Sequence, residues 1–475
     1  MRIPINVAPP IDDPQRQAEQ RLRDSFWDGT WAETLGADLL KVLSTDRREV
    51  LGPLDLSLCL GPQICQELAV CYLRTPMVTI GGKAAWICEP GGPISTALLW
   101  SMMPDFQGRV LWLREYVMRI EATSGGGLLF RPVPPWLVEI EADPARPDQP
   151  IVYREWVPRI IGGESVWTRD VIDLRDPGDP HLVVLSQDGD TDLTEQVFGG
   201  PQSGEAYAYR REDGTPFVPV ELYHRDPDAS LWHYSRGAEL VSSTRRGAVH
   251  WNLYDHAYED ASWEQRALID GAVVGAKPVG ERGLRYVRPD PTLILMVESR
   301  EGHQAQLGQW RIGADPAVLM AGLQGYIAQA ATREGVSPAE LQRLSGDPKS
   351  GYAIALTNEG KRQAQRRFGP QFQVRDESLL CKAAATWNRA NPDADPYAET
   401  GYQVSYQSIP LSPDEERAIR DQVDWELMRG WITPQQALAR VRGISESEAT
   451  AIISANQAAA KPQPATTQPA TTEQP

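Results

Sequence analysis

The acidic turn Asp188-Gly189-Asp190-Thr191-Asp192 holds the most regular set of potential ligands in the sequence. Its three carboxylates stand at positions one, three and five of a calcium-binding loop. Such a loop also needs glycine at position six and a glutamate at position twelve, but Leu193 and Gly199 stand there. We therefore expect a solvated acidic turn, and we predict neither a metal site nor a cofactor.

The sequence has no motif that would support another reaction. It contains no G-x-x-x-x-G-K-[ST] phosphate loop, no G-x-S-x-G elbow and no H-E-x-x-H pair. Its 5 cysteines include no C-x-x-C pair, which argues against a disulfide framework and a zinc site. Cys65 and Cys71 lie in an apolar helix-like run and are expected to be buried thiols. We assign no catalytic residue and do not expect an enzyme.

Two basic pairs are the candidates for contact with nucleic acid. Arg245-Arg246 and Arg366-Arg367 each lie in a predicted helix, and Lys361 and Arg362 extend the second pair into a stripe at spacings of four and five. A solvated or salt-bridging face is the favoured interpretation, and contact with DNA is the alternative.

An aromatic stripe follows the helix predicted from residue 238 to 263. A stripe at this spacing usually packs against protein, here against a neighbouring copy, and stacking on nucleic-acid bases is the less favoured alternative. Its members are Trp251, Tyr254, Tyr258 and Trp263.

Composition restricts the class of protein further. At 475 residues the chain can form two or three domains, and its net charge of −17 has the wrong sign for a protein that binds nucleic acid by neutralising phosphates. The N-terminus lacks the apolar segment of a signal peptide, and the longest apolar run, PISTALLWSMMP, is far shorter than the ~20 residues of a membrane span. We expect a protein made in the cytosol, without contact with a membrane.

The pattern of elements predicts helices first, then strands, then helices again. Residues 15–75 are helical in pattern, and VLWLREYVMRI predicts a helix with Val110, Leu113, Val117 and Ile120 on one face, ending at the glycines after Ser124. Residues 128–220 read as short strands with turns between them.

The second half begins with a helix over 238–263, followed by short β-like pieces over 269–312. Asp315 is predicted to cap the next helix, with Pro316 in its first turn. A helix from Ser350 follows, and we expect a kink or break in it at Phe368-Gly369-Pro370, because proline in a helix interior costs about 3 kcal/mol.

The chain closes with a strand over 401–411 and three small helices. Capping boxes predict the helix starts at Ser412, Thr433 and Ser445. Residues 458–475 are predicted to be a disordered tail.

This order of elements resembles the portal proteins of tailed bacteriophages. The resemblance rests on the strand TPFVPVELY before a helix, on the β-rich insertion between two helices, and on Ser350-Gly351-Tyr352-Ala353 leading into a further helix. It implies an α+β, portal-like fold with a mixed α/β wing, a two-helix stem, a small β-containing clip and a helical crown.

The resemblance also implies a domain map. The wing covers 1–235 and 353–411, the stem helices are 236–268 and 313–334, the clip is 269–312, the tunnel loop is 335–352, the crown is 412–457 and the tail is 458–475.

By the same resemblance, copies of the chain form a ring, usually a dodecamer, at one vertex of the virion capsid, after assembly in the host bacterial cytoplasm. Double-stranded DNA would be packaged and ejected through the ring without being read. The implied partners are the terminase large subunit, a head-tail adaptor, and the major capsid and scaffolding proteins. Arg343 and Lys349, in the loop before Ser350, are the predicted DNA-channel contacts.

The alternative from a different class is a β-rich polysaccharide hydrolase that uses paired carboxylates. The tryptophan content and the abundance of acidic residues favour it. The sequence identifies no specific pair of carboxylates, and the capped helices have no role in such an enzyme.

Overall fold

A computed structural model of the chain describes residues 13–43, 53–123, 126–175, 182–198, 209–226, 231–232, 236–262, 315–338, 351–409 and 413–442, with short segments between 265 and 310 and between 449 and 456. The chain divides into two compact units. The first unit is Met1–Arg343 with Gln363–Gln407, and the second is Leu344–Arg362 with Ser408–Pro475.

Helices and strands both occur throughout the first unit, which confirms the predicted α+β class. The helices are α1 Pro14–Trp27, α2 Ala32–Leu40, α3 Leu60–Leu68, α4 Pro93–Thr96, α5 Leu99–Leu113, α6 Thr194–Phe198, α7 Ala238–Ser262, α8 Pro316–Glu334, α9 Gly351–Ala390, α10 Pro413–Met428 and α11 Pro434–Arg442. The strands are β1 Met77–Ile80, β2 Lys83–Ala84, β3 Glu115–Ala122, β4 Leu128–Val133, β5 Val138–Asp143, β6 Arg146–Ile161, β7 Glu164–Asp173, β8 Leu182–Leu185, β9 Val220–His224, β10 Gln265–Ile269, β11 Gly271–Val273, β12 Pro278–Val279, β13 Leu284–Arg285, β14 Val297–Ser299, β15 Gln306–Trp310 and β16 Tyr402–Ser405.

Three antiparallel sheets form the framework of the first unit. Their strand orders are β4-β3-β9, β5-β6-β7-β8 and β16-β1-β2. Gly162 and Gly163 close the long β6–β7 hairpin, both with positive φ, as a tight hairpin turn requires. The pairing of β1 with β16, where Met77 faces Ser405, joins segments from opposite ends of the chain.

The region around β3 corrects one sequence-based prediction. The helix predicted through VLWLREYVMRI is wrong beyond Leu113, because Arg114 takes a left-handed φ of 77° and β3 begins at Glu115. Residues from Glu115 to Ile120 are all buried. A strand that is buried on both faces shows no alternation of polar and apolar residues, so its apolar run resembles that of a buried helix.

A helical core packs beside these sheets. Trp112 of α5 lies fully buried and donates from Nε1 to the carbonyl of Arg23 in α1 at 2.7 Å. Gly61 of α3 allows this close packing, since a Cβ at that position would lie 2.1 Å from the Trp112 ring. Cys65 and Cys71 are buried free thiols, as predicted, and burial raises their pKa values to about 11 and about 12.

The long helix α9 runs without interruption from Gly351 to Ala390, with Pro370 inside it. A break at Phe368-Gly369-Pro370 is therefore wrong, and a kink there stays a prediction. Phe368 and Phe372, which flank the proline, are each about 1% exposed. Burial of two aromatic side chains stabilises this turn enough to offset the lost backbone hydrogen bond.

The second unit confirms the predicted cap at Thr433. The backbone amide of Gln436 donates to Thr433 Oγ1 at 3.3 Å, and the Thr433 amide donates to Gln436 Oε1 at 3.1 Å, which is a reciprocal capping box. Residues 449–450 and 452–454 are also helical. The box residues predicted at Ser412 and Ser445, and the predicted tail, lie outside the described residues.

Candidate functional site: an antiparallel helix pair carrying a β segment

Helices α7 and α8 lie side by side and run antiparallel. Near one end, Arg333 of α8 forms an ion pair with Glu239 of α7 at 2.5 Å. Further along, the Tyr326 hydroxyl donates to the Ser243 carbonyl at 3.3 Å, and the Tyr326 ring lies 6.0 Å from the ring of His250. Contacts nearer the C-terminus of α7 involve residues nearer the N-terminus of α8, so the two helices run antiparallel. We call these two helices the helix pair.

Both ends of α8 have local stop or start signals, and the one at its start was predicted. Asp315 caps the helix by accepting a hydrogen bond from the Ala317 amide at 2.9 Å, with Pro316 in the first turn. Gly335 ends the helix with a φ of 83°, and its amide bonds back to the last turn.

The helix pair is connected by nested pairs of strands, which we call the β segment. β10 pairs with β15, β11 with β14 and β12 with β13, all antiparallel. The outermost pair begins where Gln265 faces Trp310, next to the ends of the two helices. The β segment is thus built from local, nested pairings and has the form of an interrupted hairpin.

Helix α7 is attached to the N-terminal helices by buried or half-buried polar contacts. Arg245 binds Asp38 of α2 through two hydrogen bonds of 2.7 and 2.6 Å. Burial alone would raise the pKa of Asp38, but the hydrogen bonds and charges of Arg245 and Lys41 outweigh it and lower that pKa. Asn252 and Asp55 are joined by hydrogen bonds of 3.0 and 2.9 Å.

The C-terminal end of α8 is attached through a buried arginine. Arg225, directly after β9, is 2% exposed and forms an ion pair with Glu334. It also donates to the Leu111 carbonyl of α5 at 3.2 Å, and its own carbonyl accepts a hydrogen bond from Gln371 of α9. One residue, directly after β9, therefore links the helix pair to α5 through its side chain and to α9 through its carbonyl. Sequence analysis missed Arg225 and Glu334, because their 109-residue separation leaves no local signal.

Helix α9 is fixed to β9 by a second buried charge cluster. Glu221 of β9 is 2% exposed and accepts from Lys382 Nζ at 2.7 Å, Ser378 Oγ at 2.7 Å and Arg375 Nη1 at 3.2 Å. Burial by itself would raise the pKa of Glu221, but Lys382 and Arg375 outweigh it and lower that pKa. Glu221 is therefore a carboxylate near neutral pH.

The predicted DNA contacts Arg343 and Lys349 lie outside the described residues. Among the other basic candidates, Arg245 is bound to Asp38 as described above, in agreement with the ion-pairing interpretation. Arg362 is only 7% exposed, so it does not share an exposed stripe with Arg366 and Arg367. Arg367 lies over the Phe368 ring at 5.0 Å.

The rings of the aromatic stripe lie against one another along α7, and Tyr258 is 54% exposed, so packing against a neighbouring copy stays a prediction. The rings of Trp251 and Tyr254 stack at 5.9 Å, and those of Tyr254 and Tyr258 lie 6.2 Å apart. Trp251 also donates from Nε1 to Asp55 at 2.6 Å. Trp263 lies outside the described residues.

The acidic turn at 188–192 is a hydrogen-bonded surface turn. Asp188 accepts from the Ser186 hydroxyl, and Asp192 accepts from the Thr194 amide at 2.8 Å. Within the described ranges, no group of three or more His, Cys, Asp or Glu side chains could hold a metal ion.

Two carboxylates do meet in the β region, but in a buried network. Glu155 and Asp170 both accept from Arg119 Nη1, at 2.6 and 2.9 Å, and both side chains are 1% exposed. Arg131 and Arg159 provide further ion pairs. A glycosidase needs its carboxylates open to the sugar, so this pair gives no support to the hydrolase alternative.

No helix in the described part of the chain is long and apolar enough to cross a membrane.

Comparison with known proteins finds 73 similar chains among solved structures, and the two described here match at low scores. The neck of an empty GTA particle, computed with C6 symmetry, matches with a TM-score of 0.42 and 11% identity over 81% of this chain and 89% of that chain. An HK97 family phage portal protein from Corynebacterium diphtheriae matches with a TM-score of 0.32 and 10% identity over 75% of this chain and 96% of that chain. The second belongs to the family that the order of elements in the sequence resembles.

No family model matches the sequence, and no curated protein matches it. Because both structural scores are low, function is inferred from the chain's own residues and geometry.

Proposed function

We propose that this chain is the subunit of a portal ring, through which double-stranded DNA enters and leaves the capsid of a tailed phage or a related particle. The observation that carries the proposal is the helix pair with its β segment. It leaves and rejoins the rest of the first unit at positions fixed by buried ion pairs, and α9 follows it in the chain. An unbroken pair of helices that carries a small β segment suits a ring, because each copy can align the pair beside its neighbour's.

The net charge supports a channel through which DNA passes without binding. A ring of about twelve copies would carry roughly −200 in total, from −17 per chain. Tight binding of DNA requires ion pairs with phosphates, and an acidic wall provides few of them. DNA could then slide along the channel, touched by a few basic side chains that contact only its backbone.

The parts of the chain would take different partners. The clip, 269–312, which contains most of the β segment, would bind the terminase large subunit during packaging and a head-tail adaptor afterwards. The wing, 1–235 with 353–411, would face the major capsid and scaffolding proteins, and 412–457 would form the crown. The ring would assemble in the host cytoplasm and remain at the portal vertex of the virion.

The assembly of the purified chain tests this function. Native mass spectrometry should find a closed ring of about twelve copies, and negative-stain images should show a central hole. A chain that stays monomeric or dimeric over a wide range of concentrations, including with scaffolding protein added, would contradict the proposal.

A second experiment tests the DNA contacts. The double variant Arg343→Ala with Lys349→Ala should form rings but package less DNA in a phage assembly assay. The matched control is Lys83→Ala with Arg175→Ala, which removes two exposed cations elsewhere in the chain. Equal packaging and genome retention by both double variants would show that the loop does not touch DNA.

A further inference from the structure

A buried aspartate of α9 is surrounded by three tyrosine hydroxyls. Asp376 is fully buried, and the Tyr72 hydroxyl lies 2.8 Å from its Oδ1 and 2.9 Å from its Oδ2. Tyr223 donates to Oδ1 at 2.8 Å, and Tyr406 donates to Oδ2 at 2.6 Å. We call these four residues the tyrosine cluster.

The tyrosine cluster connects segments that are distant in the sequence. Asp376 belongs to α9, Tyr72 follows α3, Tyr223 lies in β9 and Tyr406 directly follows β16. The rings also pack on one another, since those of Tyr72 and Tyr406 meet edge to face at 5.4 Å. Four parts of the first unit are therefore joined at one carboxyl group.

Among the described residues, the groups that face Asp376 include no partner of opposite charge. None of the ion pairs formed within the described residues includes Asp376. Glu221 adds repulsion from β9, and its own charge is balanced by Lys382 and Arg375. From the segment after α3, the nearest titratable group besides Tyr72 is the Cys71 thiol, whose pKa burial raises.

Burial therefore decides the protonation of this group. Loss of solvation raises the pKa of Asp376 to about 7, against the lowering effect of the hydrogen bonds from Tyr406, Tyr223 and Tyr72. The contrast with Glu221 is informative, because both carboxyls are buried between α9 and β9. Glu221 has two cations and stays charged, whereas Asp376 has only neutral donors.

The hydrogen bonds can be made in either protonation state. As a carboxylate, Asp376 accepts from all three hydroxyls. As a neutral acid it must donate to one tyrosine oxygen, whose own proton then needs another acceptor. The hydroxyl oxygens of Tyr72 and Tyr406 are 3.5 Å apart, so that proton has an acceptor within the cluster.

We propose that the tyrosine cluster is a protonation-dependent contact that holds α9 to β9, to the segment after α3 and to the segment after β16. The contact stabilises the fold more when Asp376 is neutral than when it is charged. In the unfolded chain Asp376 ionises with an ordinary pKa near 3.8. Between that value and the folded pKa the native state binds one more proton than the unfolded state. The contribution to stability is therefore complete at low pH and is lost as the pH rises through the folded value.

The test compares thermal unfolding of the wild-type chain and Asp376→Asn from pH 5 to pH 8.5, at one protein concentration. Asparagine stays neutral, so the Tm of the wild type should fall relative to that of the variant by roughly 5 °C over this range. The control Asp395→Asn, at an exposed position after α9, should follow the wild type. Parallel curves for the wild type and Asp376→Asn would overturn the proposal.

A second variant keeps the proposal testable if Asp376→Asn does not fold. Tyr406→Phe keeps the ring but removes one donor to the carboxylate, so the midpoint of protonation should move to higher pH. Infrared difference spectra between acidic and alkaline samples report this midpoint through the carbonyl band of the neutral acid. An unchanged midpoint in Tyr406→Phe would also overturn the proposal.

Discussion

Replacing Pro370 by alanine should stabilise the protein. The proline lies inside the continuous helix α9 and is exposed. It has no amide proton to donate to the helical turn before it, and its ring crowds that turn. Alanine would restore that hydrogen bond and remove the clash of the ring with the preceding turn.

The expected change in the free energy of unfolding is the difference between two opposing effects of the proline. Proline in a helix interior costs about 3 kcal/mol relative to alanine. The flanking Phe368 and Phe372 are already buried in the wild type, so their packing contributes nothing new. Proline also restricts the unfolded chain, and its loss costs about 0.4–1 kcal/mol. We expect Pro370→Ala to raise the free energy of unfolding by about 2 kcal/mol.

Urea unfolding followed by circular dichroism measures this change, with every sample at the same protein concentration because assembly shifts apparent stability. Val374→Ala is the matched control, since Val374 is 61% exposed one turn further along α9 and its loss should change stability little. If Pro370→Ala instead lowered the stability or left it unchanged, the helix would not be continuous through residue 370, and the interruption expected from the sequence would be correct.

Two further predictions concern the helix pair and the second unit. Glu334→Gln should destabilise the chain by about 3 kcal/mol in urea unfolding, because it leaves Arg225 buried without its counter-charge. The control Glu239→Gln, which breaks an exposed ion pair, should cost less than about 1 kcal/mol. Equal losses of stability in the two variants would contradict the anchoring role of Arg225. Thr433→Ala should remove one half of the capping box with Gln436 and cost about 1 kcal/mol. Hydrogen exchange of the amides at the start of α11 should then be faster, while the control Thr433→Ser should leave the exchange rates nearly unchanged. Slow exchange in the alanine variant would show that the cap does not stabilise this helix.

Features that depend on local physics could be predicted from the sequence. Asp315 with Pro316, and Thr433 with Gln436, use side chains that bond amides two or three residues away, so their spacing is sufficient evidence for a helix start. The strands of the β5–β8 sheet were also predicted, because one face of each is polar and turn residues separate them. The resemblance to portal proteins came from this local order of elements.

Features that depend on distant partners could not be predicted. The strand β3 has the apolar run of a buried helix, and only its pairing with β4 and β9 distinguishes the two. A sequence signal did exist for Asp376, which lies one turn after Phe372 on an apolar face of α9. That spacing predicts a buried carboxyl, but it does not identify Tyr72, Tyr223 and Tyr406 as its donors.

The sequence by itself determined the class of elements, their order, several of their ends and the acidic charge that argues against tight DNA binding. Tertiary structure alone decided that Pro370 stays within a helix, that Arg225 joins Glu334 and that three tyrosine hydroxyls surround Asp376. Caps and turns are set by neighbours a few residues apart. The cost of a proline inside a helix, or of a buried charge, depends instead on which distant side chains surround it, and the folded chain alone brings these together.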